Sequence, residues 1–337
     1  MFFRSLAVMT RAGIPIDRSL RLMGKQTEDQ AMSLVGRSLA DKVAQGHTLS
    51  HAMGAFPDAF SPMQQRLVQI AESTGSMEDV LFQLSRYEEK HRAMVMKIRS
   101  AISYPAFIFA VAFLMLVIVP PFMMEGLFSM IVGSGVEPPL ITKIVMWFTG
   151  VTRSIWFYLL LVAVGVAGAT MLPRWLKRPD VRYRVYYYAL LVPVLGKVVR
   201  TVGAARFARS LEVQLAVGVP PLNALQLAAS SSENPILEEG VGRAVEGMRD
   251  GLTLEQSLDR ADFFPPLLLQ MVNAGEETGT LSDMLGRVAD MYEVELDNIL
   301  EVFTSLLEPM VMLIMGIVVG VLVLATMLPL MQVLQSL

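Results

Sequence analysis

The side chains able to do chemistry are few, and they recur. Glu72 and Asp79 in the first third of the chain return as Glu276 and Asp283 in the last, with Glu277 beside the second pair. Oxygen clusters of this kind hold calcium where they converge, and paired carboxylates work as acid and base where a pocket surrounds them. The alternative is local: Glu72 and Glu276 would order the helix turn before Gly75 and Gly279, while Asp79 and Asp283 would cap the helix that follows. His47 and His51 stand four apart on one helix face, but they lack the glutamate and third ligand of an H-E-x-x-H zinc site and read as solvated or capping histidines. No G-x-x-x-x-G-K-[ST] is present. Neither Gly24-Lys25 nor Gly196-Lys197 has the spacing or hydroxyl neighbour that cradles a phosphate, so nucleotide hydrolysis by this chain is not expected. The absence of cysteine removes disulfides, zinc knuckles and thiol nucleophiles. No catalytic residue and no cofactor is expected.

The recurrence extends well beyond the carboxylates. Arg4, Ser5, Leu6, Val8, Gly13, Pro15 and Leu20 fall opposite Arg209, Ser210, Leu211, Val213, Gly218, Pro220 and Leu225 at a constant offset. Thr48-Leu49 answers Thr253-Leu254, and Glu72-Ser73-Thr74-Gly75 answers Glu276-Glu277-Thr278-Gly279. Spacing this regular marks an internal duplication.

The elements that carry these residues read as helices throughout, with no period-2 alternation or Asn-Gly turn of a hairpin. Phe2–Ala12 is amphipathic and stops at Gly13. Thr27-x-x-Gln30, Ser61-Pro62-x-Gln64, Thr253-x-x-Gln256 and Thr280-x-x-Asp283 have the form of capping boxes, and Ser76-x-x-Asp79 opens the last helix of the first copy. Each copy is expected to be a bundle of about five or six short helices.

Hydrophobic residues make up 53% of the 337, more than ordinary soluble domains carry. Three uncharged runs, Ser100–Met124, Ser154–Pro173 and Pro309–Leu337, are each long enough to cross a hydrocarbon core of about 30 Å as a helix. Arg86, Lys90, Arg92, Lys97 and Arg99 precede the first run, and Arg174, Lys177, Arg178, Arg182 and Arg184 follow the second. The positive-inside bias puts both clusters in the cytoplasm. The domains expected are a first cytoplasmic module (1–99), a span (100–124), an external loop (125–153), a returning span (154–173), a second cytoplasmic module (174–308) and a last span (309–337), with a cytoplasmic N-terminus and a periplasmic C-terminus. The first run is expected to close at Pro120-Pro121. Tyr186–Val199, apolar but interrupted at Pro193, reads as an interfacial segment or one leading into the second module, with a re-entrant element as the alternative.

Charge separates the copies. Residues 210–308 hold 4 Lys and Arg against 18 Asp and Glu, a sign opposite to that which nucleic acid demands. Glu238, Glu239 and Glu246 on this acidic body are candidates for a partner-facing surface, or else a solvated face. Uncharged spans leave ion-coupled transport without its usual carriers, although a repeat-built transporter or channel component is the rival reading. Gly316-x-x-x-Gly320 would let helix backbones approach closely, within the chain or in a dimer.

The duplicated motif R-S-L-x-x-M-x-x-A-G-I-P-I-x-x-S-L with its second copy, the Glu-x-Thr-Gly turns, Tyr104-Pro105, Pro120, Glu308-Pro309 and Met327-Leu328-Pro329 together resemble the inner-membrane platform proteins of type II secretion systems and type IV pili, the GspF/PilC family. The family-motif positions here are Gly13, Pro15, Glu72, Gly75, Tyr104, Pro105, Pro120, Gly218, Pro220, Glu276, Gly279, Glu308, Pro309 and Pro329. The resemblance implies an all-α membrane protein with two homologous cytoplasmic modules and three spans. It would be a non-enzymatic scaffold of the bacterial inner membrane that couples a hexameric cytoplasmic assembly ATPase to extraction and polymerisation of pilin or pseudopilin subunits. Other inner-membrane assembly proteins and a second copy of the chain, as a dimer, are implied partners. Members commonly carry a further segment before the first module, which here begins almost at Met1, and they favour Gly-Glu where the first copy reads Ala71-Glu72.

Overall fold

The computed structural model describes residues 2–26, 30–134, 138–176 and 178–336. All regular structure among them is α-helical. Helices α1 (Phe2–Arg11), α2 (Ile16–Gln26), α3 (Gln30–Ala44), α4 (Leu49–Met53), α5 (Pro62–Thr74) and the start of α6 (Met77–Ser134) form the first module. Helices α7 (Leu140–Thr152), α8 (Ile155–Leu176) and α9 (Pro179–Leu191) follow. The second module repeats the first helix for helix, as α10 (Pro193–Ala216), α11 (Pro221–Ser231), α12 (Pro235–Arg249), α13 (Leu254–Asp259), α14 (Pro266–Thr278) and the start of α15 (Leu281–Ser336). The chain divides into two units, Met1–Lys97 with Arg182–Ile299, and Ile98–Val181 with Leu300–Leu337. Both modules therefore belong to one unit.

Local chemistry explains the helix ends. Ser61 and Gln64 form the expected reciprocal box: the Gln64 N–H donates to Ser61 Oγ at 3.3 Å and the Ser61 N–H to Gln64 Oε1 at 2.8 Å. Thr48 and Thr253 cap α4 and α13 through the N–H groups of His51 and Gln256. Thr280 behaves differently from expectation, because its hydroxyl pairs with Thr278 Oγ1 at 2.7 Å. Thr27 lies outside the described residues. Gly75 and Gly279 end α5 and α14 at φ 74° and 71°, a left-handed turn that a side chain would strain.

Each module buries its own aromatic cluster. In the first, Phe2, Phe3 and Phe60 meet edge to face with centroids 5.2 to 6.1 Å apart, above buried Leu20, Leu39 and Leu67. In the second, Phe207 and Phe264 lie 4.6 Å apart beside buried Leu211, Leu237 and Val272.

In the other unit, α6, α8 and α15 are long and apolar enough to cross a membrane. The last helix of each module continues without a break into its apolar run. Contrary to the expectation that the first run closes at Pro120-Pro121, α6 carries through Pro105, Pro120 and Pro121 to Ser134. A proline removes one backbone bond and tilts the axis, yet helices in apolar surroundings tolerate it where the freed carbonyl finds other partners. Residues 125–153, expected as a loop, hold the end of α6 and the whole of α7. Val145 on α7 and Ala325 on α15 form a small buried cluster flanked by Ile141, Met146 and Leu322, and the Thr142 hydroxyl donates to the Ala325 carbonyl at 3.0 Å. The stretch Tyr186–Val199 divides at Val192, where α9 and α10 bend by 119°; α9 buries none of its residues.

Candidate functional site

The carboxylates that recur between the modules do structural work, and not where the sequence placed it. Glu72 reaches back to the start of α4, accepting the N–H groups of Leu49 and Ser50 and the Ser50 hydroxyl. Glu276 accepts the Leu254 N–H at the start of α13. Both thus order the helix lying earlier in the chain, not the turn before Gly75 or Gly279. Glu277 takes the Asn273 side-chain amide at 3.2 Å, and Asp283 is exposed. The four carboxylates do not converge, and no group of three or more His, Asp or Glu stands together as a metal site among the described residues. His47 and His51 lie with ring centroids 5.3 Å apart, their planes tilted by 30°, on the wall of an open groove of about 940 Å³ that α11 lines with Asn223, Gln226 and Ser230.

The densest electrostatics lie where the modules meet. Arg209 on α10, its side chain 7% exposed, grips Glu212 at 2.8 Å, Glu293 at 2.9 Å and Asp290. Burial opposes its charge, but the Glu293 hydrogen bond and the Glu212 carboxylate outweigh burial and raise its pKa above the ordinary value. Lys90 of the first module enters the same cluster, 3.0 Å from Asp290 and 2.8 Å from Glu293. Lys97 extends it to Asp297 at 2.6 Å. Beneath the charges, the hydroxyls of Ser210 and Ser231 point to the Met63 sulfur at 3.0 and 3.4 Å. Arg209 and its three acids all belong to the second module, and Lys90 is the cation that the first module adds to them, which favours one docking geometry. Arg209 had shown in the sequence only as a mark of duplication, and nothing there announced that Lys90 would leave its own module to meet it.

The remaining predicted residues fall as follows. Gly13 and Gly218 turn left-handed at φ 77° and 84°, with Pro15 and Pro220 just beyond. Tyr104 and Pro105 face Glu308 across a pocket of about 130 Å³ lined also by Ile108, Leu307 and Val311, so the corresponding motifs of the two copies come together. Pro120, Pro309 and Pro329 lie inside their long helices. A Cβ at Gly316 or Gly320 would meet nothing within 4 Å, so packing within the described chain does not use this pair. Glu238, Glu239 and Glu246 are exposed on α12. Arg243 holds Glu239 at 3.3 Å, and partial burial raises the Glu238 pKa against the pull of Arg182.

An all-α membrane protein with two docked, matching modules and three apolar helices is the class this architecture defines. The family model for protein F of the type II secretion system matches residues 2–140 and 207–329, two segments that fit the duplication. Among similar proteins, "Type IV pilus assembly protein PilC" of Pseudomonas aeruginosa is 30% identical over 98% of this chain and 88% of its own length. "Type 4 fimbrial assembly protein PilC" of Pseudomonas putida is 34% identical over 98% and 82%, and "Type II secretion system protein F" of Pseudomonas aeruginosa is 31% identical over 98% and 81%. The chain belongs to the type II secretion system protein F family. Membership of this family and three apolar helices make it an inner-membrane protein.

Proposed function

We propose that this protein is the inner-membrane platform of a type IV pilus or type II secretion machine, a non-enzymatic scaffold that passes motion from a cytoplasmic hexameric ATPase to pilin or pseudopilin helices in the bilayer. One observation carries the mechanical reading. The modules are locked by the Arg209–Lys90 charge cluster, and each continues as one helix into its apolar run, 58 residues in α6 and 56 in α15. No loop interrupts either helix between its module part and its apolar part. Glu238, Glu239 and Glu246 are the proposed ATPase-facing acids, Glu246 the least engaged of them. Homo-oligomers and contacts with other inner-membrane assembly proteins complete the reading.

A strain lacking the protein, scored in parallel for surface filaments and secreted proteins, tests it. Lost filaments with normal secretion assign a pilus, lost secretion with normal filaments a secretion system, and both intact would overturn the proposal. Orientation is tested with single cysteines. Those at Asp58 and Arg260 should resist an impermeant thiol reagent added from outside while one at Gly133 reacts, and external labelling of either module contradicts a cytoplasmic pair. Neutralising the three acids to glutamine should weaken ATPase binding; unchanged binding would move that contact elsewhere.

A further inference from the structure

The two modules do not meet through equivalent faces. The first offers α5 and α6, with Met63, Tyr87 and Lys90; the second receives them on α10, α11 and α15, with Arg209, Ser210, Ser231, Asp290 and Glu293. Aligning the modules on Gly75 and Gly279, and their first helices on Arg4 and Arg209, shows what each leaves unused. The donor face of the second module is open: Met291, in the place of Tyr87, is 48% exposed where Tyr87 is 8%, and Val294, in the place of Lys90, is 61% exposed. The receiving face of the first is open as well. Arg4, the counterpart of Arg209, has a side chain 68% exposed, and Val8 is 62% exposed where its counterpart Val213 is 3%.

Contact between unlike faces of like modules is heterologous, and it leaves one free donor and one free receiver per chain, which further copies can satisfy. We propose that a second copy of this chain docks the α14–α15 face of its second module onto the α1–α6 face of the first, repeating between chains the contact made within one. The charges change together. Where the internal contact sets Lys90 against Asp290 and Glu293, the open faces would set Val294 against Arg86 and Glu89. The donor has lost its cation where the receiver has a cation in place of one of the two acids. The proposal rests on the homo-oligomer reading above and specifies its interface.

Disulfide trapping tests it, because the chain has no native cysteine. Within one chain, Met63→Cys with Ser210→Cys should close an internal disulfide, reproducing the 3.0 Å contact between those side chains. The corresponding pair, Ser5→Cys on one tagged copy and Leu267→Cys on another, co-expressed in membranes and oxidised, should give a covalent dimer that neither single variant gives alone. Val294→Arg, at an exposed site, should cut that yield severalfold by placing a second cation against Arg86, and Val294→Ala should preserve it. Dimers from Ser5→Cys alone would show a symmetric contact and overturn the proposal. So would particles weighing two or more copies that never trap the mixed pair, although these would leave the homo-oligomer reading standing. A particle mass of one copy would overturn both.

Discussion

Glu276 accepts the backbone N–H of Leu254 through both carboxylate oxygens, at 3.1 and 3.2 Å, and Glu72 makes the corresponding bond to Leu49 in the first module. Each acid ties the last long helix but one of its module to the short helix before it. Removing the carboxylate leaves an amide N–H at a helix start without that partner, at a cost of about 1–3 kcal/mol. Glu72→Ala should cost more than Glu276→Ala, since Glu72 also accepts from the Ser50 N–H and hydroxyl. Denaturant unfolding of the solubilised protein measures both. Equal binding of calcium by wild type and variants is expected, because the carboxylates are spent on backbone.

Arg4 and Arg209 hold the same place in the repeat and should respond unequally to mutation. Arg209→Met takes the arginine from Glu212 and Glu293, whose side chains are mostly buried, and leaves Lys90 to meet Glu293 and Asp290; breaking a buried pair costs about 3–5 kcal/mol. Arg4 pairs with Glu89 at 2.9 Å with both side chains more than half exposed, so Arg4→Met should cost under about 1 kcal/mol. Parallel unfolding curves decide, and similar losses would contradict the burial argument.

Gly275→Ala should destabilise the second module. A Cβ there would lie 2.7 Å from the Leu281 Cα, a backbone atom that cannot swing away. Overpacking of this kind costs roughly 1–3 kcal/mol. The first module already carries alanine at the matching position, Ala71, fully buried, so Ala71→Gly should cost about 1 kcal/mol or less from added chain freedom. The glycine before Glu276 thus permits a close approach of α14 to the start of α15.

Thr142→Val should loosen α7 from α15. It removes the bond to the Ala325 carbonyl at 3.0 Å at nearly constant shape, and inter-helix hydrogen bonds of this sort contribute about 0.6 kcal/mol, seldom more than about 1.7 kcal/mol. Faster proteolysis between α7 and α8, with module stability unchanged, is the expected signature.

Duplication, helical modules and three apolar spans were legible because each rests on local pattern. The Ser61-Pro62-x-Gln64 box and the glycines Gly75 and Gly279 announce their turns within four residues. Where Glu72 and Glu276 would bond was not legible, since their partners lie more than twenty residues earlier and only the folded bundle brings them near. Nor was α7: Leu140–Thr152 is poor in charge but too short to span, and its reason to be a helix is the surface of α15. The charge cluster was hidden most deeply, because Lys90 stood in a basic run that positive-inside reasoning had already explained.

Lys90 also dates the two halves. The residue in its place in the second copy is Val294, and the acid it meets, Asp290, stands where the first copy has Arg86. Once those positions diverged, neither half could stand in for the other: a chain of two first halves would oppose lysine to arginine, and a chain of two second halves would leave its acids facing valine. The two copies of one repeat thus supply opposite charges to a single contact.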